Sequence, residues 1–274
     1  HLPAYGYTKI ATPAIDALAR EGVVFDACYT HVPLTLPAHA SLLTGLLPPE
    51  HGVRNNIGFR LAEGTPTLAA DLKQAGWATG GAVSAAVLRA GTGIARGFDW
   101  YDDDLKAAGP DVRTTEVQRD GSETLERALA WLAKRSDAPG GEPPFLFFHI
   151  YEPHAPYSPP ARFRGNGISP YDGEVMYADE IVGRLFDGLK RLGLWERSLV
   201  VRKAFAFKKG ALSLEYEISN PEAEPLVGPA QRAVVQTRRE RLAEALGEHS
   251  DVHRFNPERG RGLSRAASCA RVHA

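Results

Sequence analysis

The chain has 274 residues, 43% of them hydrophobic and 24% charged, with a formal net charge of -1. That length buries a sizeable core, and charge so close to balance argues against nucleic acid or an acidic membrane surface as the main partner. No apolar run approaches the ~20 residues that a helix needs to span a bilayer, and the two cysteines, Cys28 and Cys269, are expected to be free thiols.

In chain order, Thr12 and Pro13 start a helix that stops near Gly22, and VVFDACY follows as a strand. Thr35 comes next, and a short helix over roughly Pro37 to Thr44 closes at Gly45. A helix from Leu68 to Gln74 leads to a strand in WATGGAVSA, and a long amphipathic helix ends around TLERALAWLAKR. The apolar strand FLFFHI, a helix after Tyr171 and the strand SLVV complete the set. Strands alternating with helices predict an α/β fold, an α/β/α sandwich on a mostly parallel sheet, with ligands at the carboxyl ends of the strands. Thr35 follows VVFDACY and His154 follows FLFFHI, so both are expected on that edge.

This domain is expected over residues 1–202. Beyond it, AFAFKKGALSLEYEISN alternates at Leu212, Leu214, Tyr216 and Ile218 around KKG, which predicts an antiparallel hairpin with one buried face in segment 203–228. A helix from Pro229 to Leu246, capped by Gly247, is expected over 229–247, and the Arg-, Gly- and Ser-rich stretch 248–274 reads as a disordered tail. Within it, His249, Asp251 and His253 are ligand types for a metal, although such residues in a tail are usually solvated. The acidic run YDDD, Tyr101 to Asp104, reads as a solvated loop rather than a hard-cation site, since adjacent carboxylates seldom converge on one ion.

The stretch from Thr35 to Asn56, TLPAHASLLTGLLPPEHGVRNN, sets a hydroxyl at a helix start and an amide 21 residues on. Free N–H groups at a helix start attract anions, which makes Thr35 a candidate nucleophile for ester hydrolysis; an ordinary capped helix gives the same local pattern. His154, in PHAPY, is either a substrate contact or a loop histidine held by prolines. His149, at the end of FLFFHI, is expected to be a buried, hydrogen-bonded histidine, with a place in the site as the alternative.

ASLLTG at Ala40 to Gly45 and HGV at His51 to Val53 resemble the nucleophile region of the sulfatase branch of the alkaline phosphatase superfamily. TPAIDALAREGVVFDACYTH upstream, and FHIYEPHAPYSPP and YDGEVMYADEIVGRLFDGLKRLG downstream, extend the resemblance over about the first two hundred residues. It implies a hydrolase of small-molecule sulfate or phosphate esters that uses a divalent metal ion, Zn, Ca, Mg or Mn. Sulfatases oxidise a Cys or Ser to formylglycine, usually with an Arg four residues on; Thr35 and His39 stand there instead, and a secondary alcohol cannot become that aldehyde. Thr35 is similar to the threonine of the nucleotide pyrophosphatase and phosphodiesterase branch, which has Pro two residues on, His four on and Asn twenty-one on.

The resemblance therefore implies Thr35 as nucleophile and metal ligand, and Asn56 as donor to a non-bridging oxygen, or Asn55 if the loop slips by one. It implies His154 and His39 as substrate contacts. The family's Asp pair before a segment like HLPAYGY, and its Asp-His-Gly after the strand like SLVV, are not at those places in this sequence. A partial catalytic domain with little or no turnover is expected, the alternative being an inactive protein of the same fold that binds an anionic or carbohydrate ligand.

Overall fold

The computed structural model describes residues 1–25, 29–105, 117–136, 141–165, 167–198, 200–208 and 211–219. Cys28, Cys269, the helix expected over 229–247, the tail and its EHSDVH group lie outside the described residues.

Helix α1 (Pro13–Glu21) starts at Pro13, whose fixed φ suits a first turn, and ends at Gly22. Thr12 gives it no side-chain cap; instead the carboxylate of Asp179 accepts from the N–H groups of Ala14 at 3.3 Å and Ile15 at 2.8 Å. Strand β1 (Val23–Val24), helices α2 (Thr35–Thr44), α3 (Pro48–His51) and α4 (Leu68–Gln74), and strands β2 (Ala78–Val83) and β3 (Trp100–Asp102) follow. Helix α5 (Gly121–Ser136), strand β4 (Pro144–His149), helix α6 (Pro170–Arg191) and strands β5 (Val200–Lys208) and β6 (Ala211–Ser219) complete the described elements.

Strands β3, β2 and β4 form a parallel sheet in that order. The side chains of β4 fix its layering. Phe147 packs with Leu36, Leu43 and Val83 on the α2 side, whereas Leu146 packs with Trp131 and Leu189, and Phe148 with Leu125 and Ile181, on the side of α5 and α6. Alternation of one strand's residues between two helical layers produces an α/β/α sandwich. Two glycines in β2 permit this packing: a Cβ on Gly80 would lie 2.8 Å from the Trp131 ring, and one on Gly81 2.5 Å from Tyr101. Among the described residues β4 has no second partner strand, and no strand precedes α1.

Three expectations are corrected. The strand expected at SLVV begins at Val200 and stays out of the parallel set; it pairs antiparallel with β6 from Val200↔Ser219 to Lys208↔Ala211. The physical reason is the connection: a two-residue link allows only antiparallel neighbours. The VVFDACY strand is described only at Val23–Val24, where it pairs antiparallel with β6 at Val23↔Ile218 and Val24↔Glu217. The YDDD run is not a solvated loop: Tyr101 and Asp102 end β3, and Asp102 pairs with the buried Arg119 and, at 3.0 Å, with Arg127. Asp103 accepts from the Ala90 N–H at 2.7 Å, and only Asp104, 3.4 Å from Arg127, keeps an exposed carboxylate.

Candidate active site

Thr35 is the first residue of α2, following the extended residue Leu34, and its side chain is half-buried. The helix below it is nearly all core: Leu36, Ala38, Ala40 and Leu43 are buried, which fixes the axis and hence the position of the first turn. At the far end Gly45, at φ 70°, turns the chain out in the left-handed region and returns its N–H to the Ser41 carbonyl at 2.8 Å. His51 holds the next turn against the helix. It accepts from the Val53 N–H at 3.1 Å on Nδ1, which leaves Nε2–H to donate to the Ser41 hydroxyl at 3.0 Å. Burial lowers its pKa, so it stays neutral and keeps that tautomer.

This turn delivers Asn56 to the start of α2. Its Oδ1 accepts from the Leu36 N–H at 2.8 Å, one residue from Thr35, and that bond identifies the oxygen and leaves Nδ2 as the donor. Asn55 instead turns back on the chain, its Oδ1 accepting from the Asn56 N–H at 2.7 Å. The helix start consequently offers fewer donors than an open one. The Leu36 N–H is occupied, Pro37 has none, and the Ala38 N–H bonds to the Leu34 carbonyl at 3.0 Å. What remains for an anion at the first turn is the Thr35 N–H and hydroxyl beside the Asn56 amide.

His39 is buried one turn below Thr35 and donates from Nδ1 to the Thr35 carbonyl at 2.7 Å. Its ring meets the edge of His149 at 5.2 Å between centroids, which sets the first turn of α2 at the carboxyl end of β4. For His149 the expectation of a buried, hydrogen-bonded residue fails at one ring nitrogen. Its Nδ1 is buried and has no hydrogen-bond partner among the described residues. Burial pushes its pKa down to about 4, so the ring is neutral at pH 7, and a neutral imidazole is the form that best tolerates a missing partner.

His154 lies on the turn that leaves β4. It is exposed, donates from Nδ1 to the Ala155 carbonyl at 2.6 Å and meets the Tyr151 ring at a tilt, 4.4 Å between centroids. Tyr151 packs in turn against the cluster that contains Leu36, which ties this turn to α2. His154 also lines a cavity of about 160 Å³ whose wall includes Asp120, Glu152, Glu174 and Tyr177; the last three lie in the segments that carry the resemblance, but none of the four has a role assigned from sequence. Among the described residues no three His, Cys, Asp or Glu side chains converge as a metal-ion site. Around Thr35 the donors are a hydroxyl, an amide and an imidazole already bonded to a carbonyl, a set without the carboxylates that a hard divalent ion needs. The described residues therefore do not fit the divalent ion that the resemblance implies.

The sequence matches the sulfatase family over residues 1–203. It is 37% identical over 78 residues to the Delta 4,5-hexuronate-2-O-sulfatase of Bacteroides thetaiotaomicron, an overlap of 27% of this chain and 16% of that protein. It is 27% identical over 241 residues to the N-acetylgalactosamine-6-sulfatase of Rattus norvegicus, covering 73% of this chain and 46% of that one, so it spans less than half of either relative. The phosphonate monoester hydrolase of Agrobacterium radiobacter shares the fold, with a TM-score of 0.61 at 17% identity over 80% of this chain and 65% of that structure. A family pattern that runs from residue 1 to 203, on a fold shared with a hydrolase of the same superfamily, places this chain in the sulfatase family.

Proposed function

We propose that the start of α2 is the ester-binding end of a hydrolase of sulfate or phosphate esters, with Thr35 as the nucleophile. The observation that carries this reading is the Asn56 to Leu36 bond, which holds an amide donor beside the Thr35 hydroxyl. The Thr35 N–H and Asn56 Nδ2 would bind the equatorial oxygens, where charge grows as the bond to the leaving group breaks. The Thr35 oxygen attacks phosphorus or sulfur as its proton passes to solvent, the ester oxygen departs with a proton from solvent, and water then cleaves the threonyl ester, releasing phosphate or sulfate and restoring the Thr35 hydroxyl. The matched sulfatases of Bacteroides and rat make a sulfated sugar one substrate class.

Turnover by these residues alone is slow. No hydrogen bond from the Thr35 hydroxyl to a base is present among the described residues, and an unassisted alcohol is a weak nucleophile near neutral pH. A divalent ion would supply hydroxyl activation and charge neutralisation, each worth several kcal/mol. The second reading is an anion-binding domain of the same fold without turnover, in which the Thr35 N–H and the Asn56 amide would hold the anion.

The test compares the chain with its Thr35→Ala variant on nitrophenyl sulfate, nitrophenyl phosphate and bis-nitrophenyl phosphate, together with metal analysis after incubation with Zn²⁺, Mn²⁺ or Ca²⁺. The hydrolase reading expects slow release that vanishes in Thr35→Ala, with a threonyl ester seen by mass spectrometry. Equal turnover in both proteins places the chemistry elsewhere. Sulfate binding without turnover or bound metal supports the second reading.

A further inference from the structure

The turn that carries His154 is fastened at both ends by carboxylates. Glu152 accepts from the Gly121 N–H at 3.0 Å, at the start of α5, and Glu174 of α6 accepts from the Ser158 N–H at 2.8 Å. Both carboxylates line the same cavity as His154. The fit behind them is tight: a Cβ on Gly121 would lie 2.6 Å from Glu152 Oε2, and one on Gly173 2.6 Å from the Phe163 carbonyl and 2.8 Å from Pro159. Glu152 Oε2 is buried, has no hydrogen-bond partner among the described residues and sits beside the Gly121 Cα.

We propose that Glu152 and Glu174 are positioning residues that clamp the two ends of this turn, so that the placement of His154 follows the charge they carry. The clamp rests on the reading of His154 as a substrate contact only for its consequence on ligand binding.

The charges around the clamp set its direction. Asp120 faces the cavity with one oxygen committed to the Tyr177 hydroxyl at 2.6 Å and the Ser122 N–H at 2.8 Å. Arg119 also lines it, but its guanidinium is spent on Asp102, Thr124 and the Val83 carbonyl. Arg162 lies over the Tyr177 ring and pairs with Glu180. His154 is the remaining group able to carry positive charge, and Tyr177 is held neutral by burial and by its bond to Asp120. Three carboxyl groups thus share one small space without a dedicated cation. Burial raises the pKa of Glu152 and of Glu174; the backbone N–H bonds act against it in both, Asp120 adds to it in both, Glu174 adds to it at Glu152, and His154 acts against it at Glu174. The docked turn favours the protonated clamp and loosens as pH rises.

Amide exchange read by NMR at Gly121 and Ser158, corrected for intrinsic rates, tests this on the full chain. In the parent, protection at both amides falls as pH rises from 5 to 8. The His154 ring resonances move in the same transition. Glu152→Gln and Glu174→Gln keep an oxygen acceptor without the charge, so together they flatten the pH dependence at both amides, whereas Glu152→Ala lowers protection at Gly121 at every pH. If Glu152→Ala does not fold, the Gln variants still decide. A pH dependence that survives in the double Gln variant overturns the proposal, as does a His154 ring indifferent to all three changes. Affinity for inorganic sulfate, measured alongside, separates the two readings: no binding at any pH counts against the ester site and leaves the clamp standing.

Discussion

The first turn of α2 and the turn after β4 meet near the same end of the sheet, yet they are held by opposite means. The start of α2 is fixed by a buried apolar helix, an imidazole that donates to a carbonyl and an amide oxygen that accepts from an N–H. The His154 turn is fixed by carboxylates that compete for one cavity. Apolar packing does not respond to pH, whereas buried carboxyl groups do. The difference teaches that a helix start held by packing and a turn held by carboxylates can be built side by side.

The largest expected effect tests the packing of that rigid half. Leu36 is fully buried in the cluster that anchors α2 to the sheet. Leu36→Ala is expected to cost ~2–5 kcal/mol, from lost transfer energy and the cavity left behind, measured by urea denaturation. Thr35→Ala, one residue away and half-buried, is expected to change stability by no more than ~0.5 kcal/mol. If the two variants lose similar stability, Thr35 is a structural residue, and the division between scaffold and site fails.

A smaller effect is expected at Asn56. Removing its side chain strands the Leu36 N–H, so Asn56→Ala should cost ~0.5–2 kcal/mol, the range for a lost N-terminal cap. Asn56→Asp keeps an oxygen on that N–H and adds a charge that the helix start favours by ~0.3–1 kcal/mol. The same charge repels an incoming anion. Asn56→Asp is therefore expected to hold or raise stability while weakening sulfate binding, a split that titration calorimetry and thermal unfolding read together. Loss of both, or of neither, sinks the assignment of Asn56 to an anion site.

How far the sequence reaches is clear from these residues. The helix at Leu68–Gln74 and the placement of Asn56 were legible because each follows from local pattern or from a motif with fixed spacing. The antiparallel pairing around KKG was legible too, but the strand's beginning was not: a period-2 run announces a strand without its full extent, and Val200 to Arg202, read as part of the parallel sheet, belong to the hairpin strand. The arginines that pair with Asp102 come from 17 and 25 residues further along, so the acidic run looked solvated when read by itself. The carboxylate clamp was invisible for the same reason, since Glu152 and Gly121 lie 31 residues apart and no motif links them. The occupied Leu36 N–H shows a subtler limit, because Asn56, brought to the helix start, uses up one of the donors that made that start look like an anion site.

The smallest expected effect is a change in stability with pH at Glu152, and its sign is fixed by the cause. Burial, the largest influence, raises this carboxyl above its ordinary value of 4.5 in the folded protein. A group raised in this way contributes stability that is fully present below the unfolded value and is lost as pH rises through the folded one. The Gly121 N–H acts in the opposite sense by favouring the ionised form, but burial outweighs it. Glu152→Gln resembles the protonated carboxyl at every pH. Parent and variant are therefore expected to unfold at similar denaturant concentrations below about pH 4.5, with the parent falling progressively below the variant as pH rises toward 8. Urea midpoints across that range give the comparison. A parent that gains on the variant with rising pH would mean that the helix-start N–H governs the ionisation of Glu152, and the turn would then be held most tightly by the charged clamp.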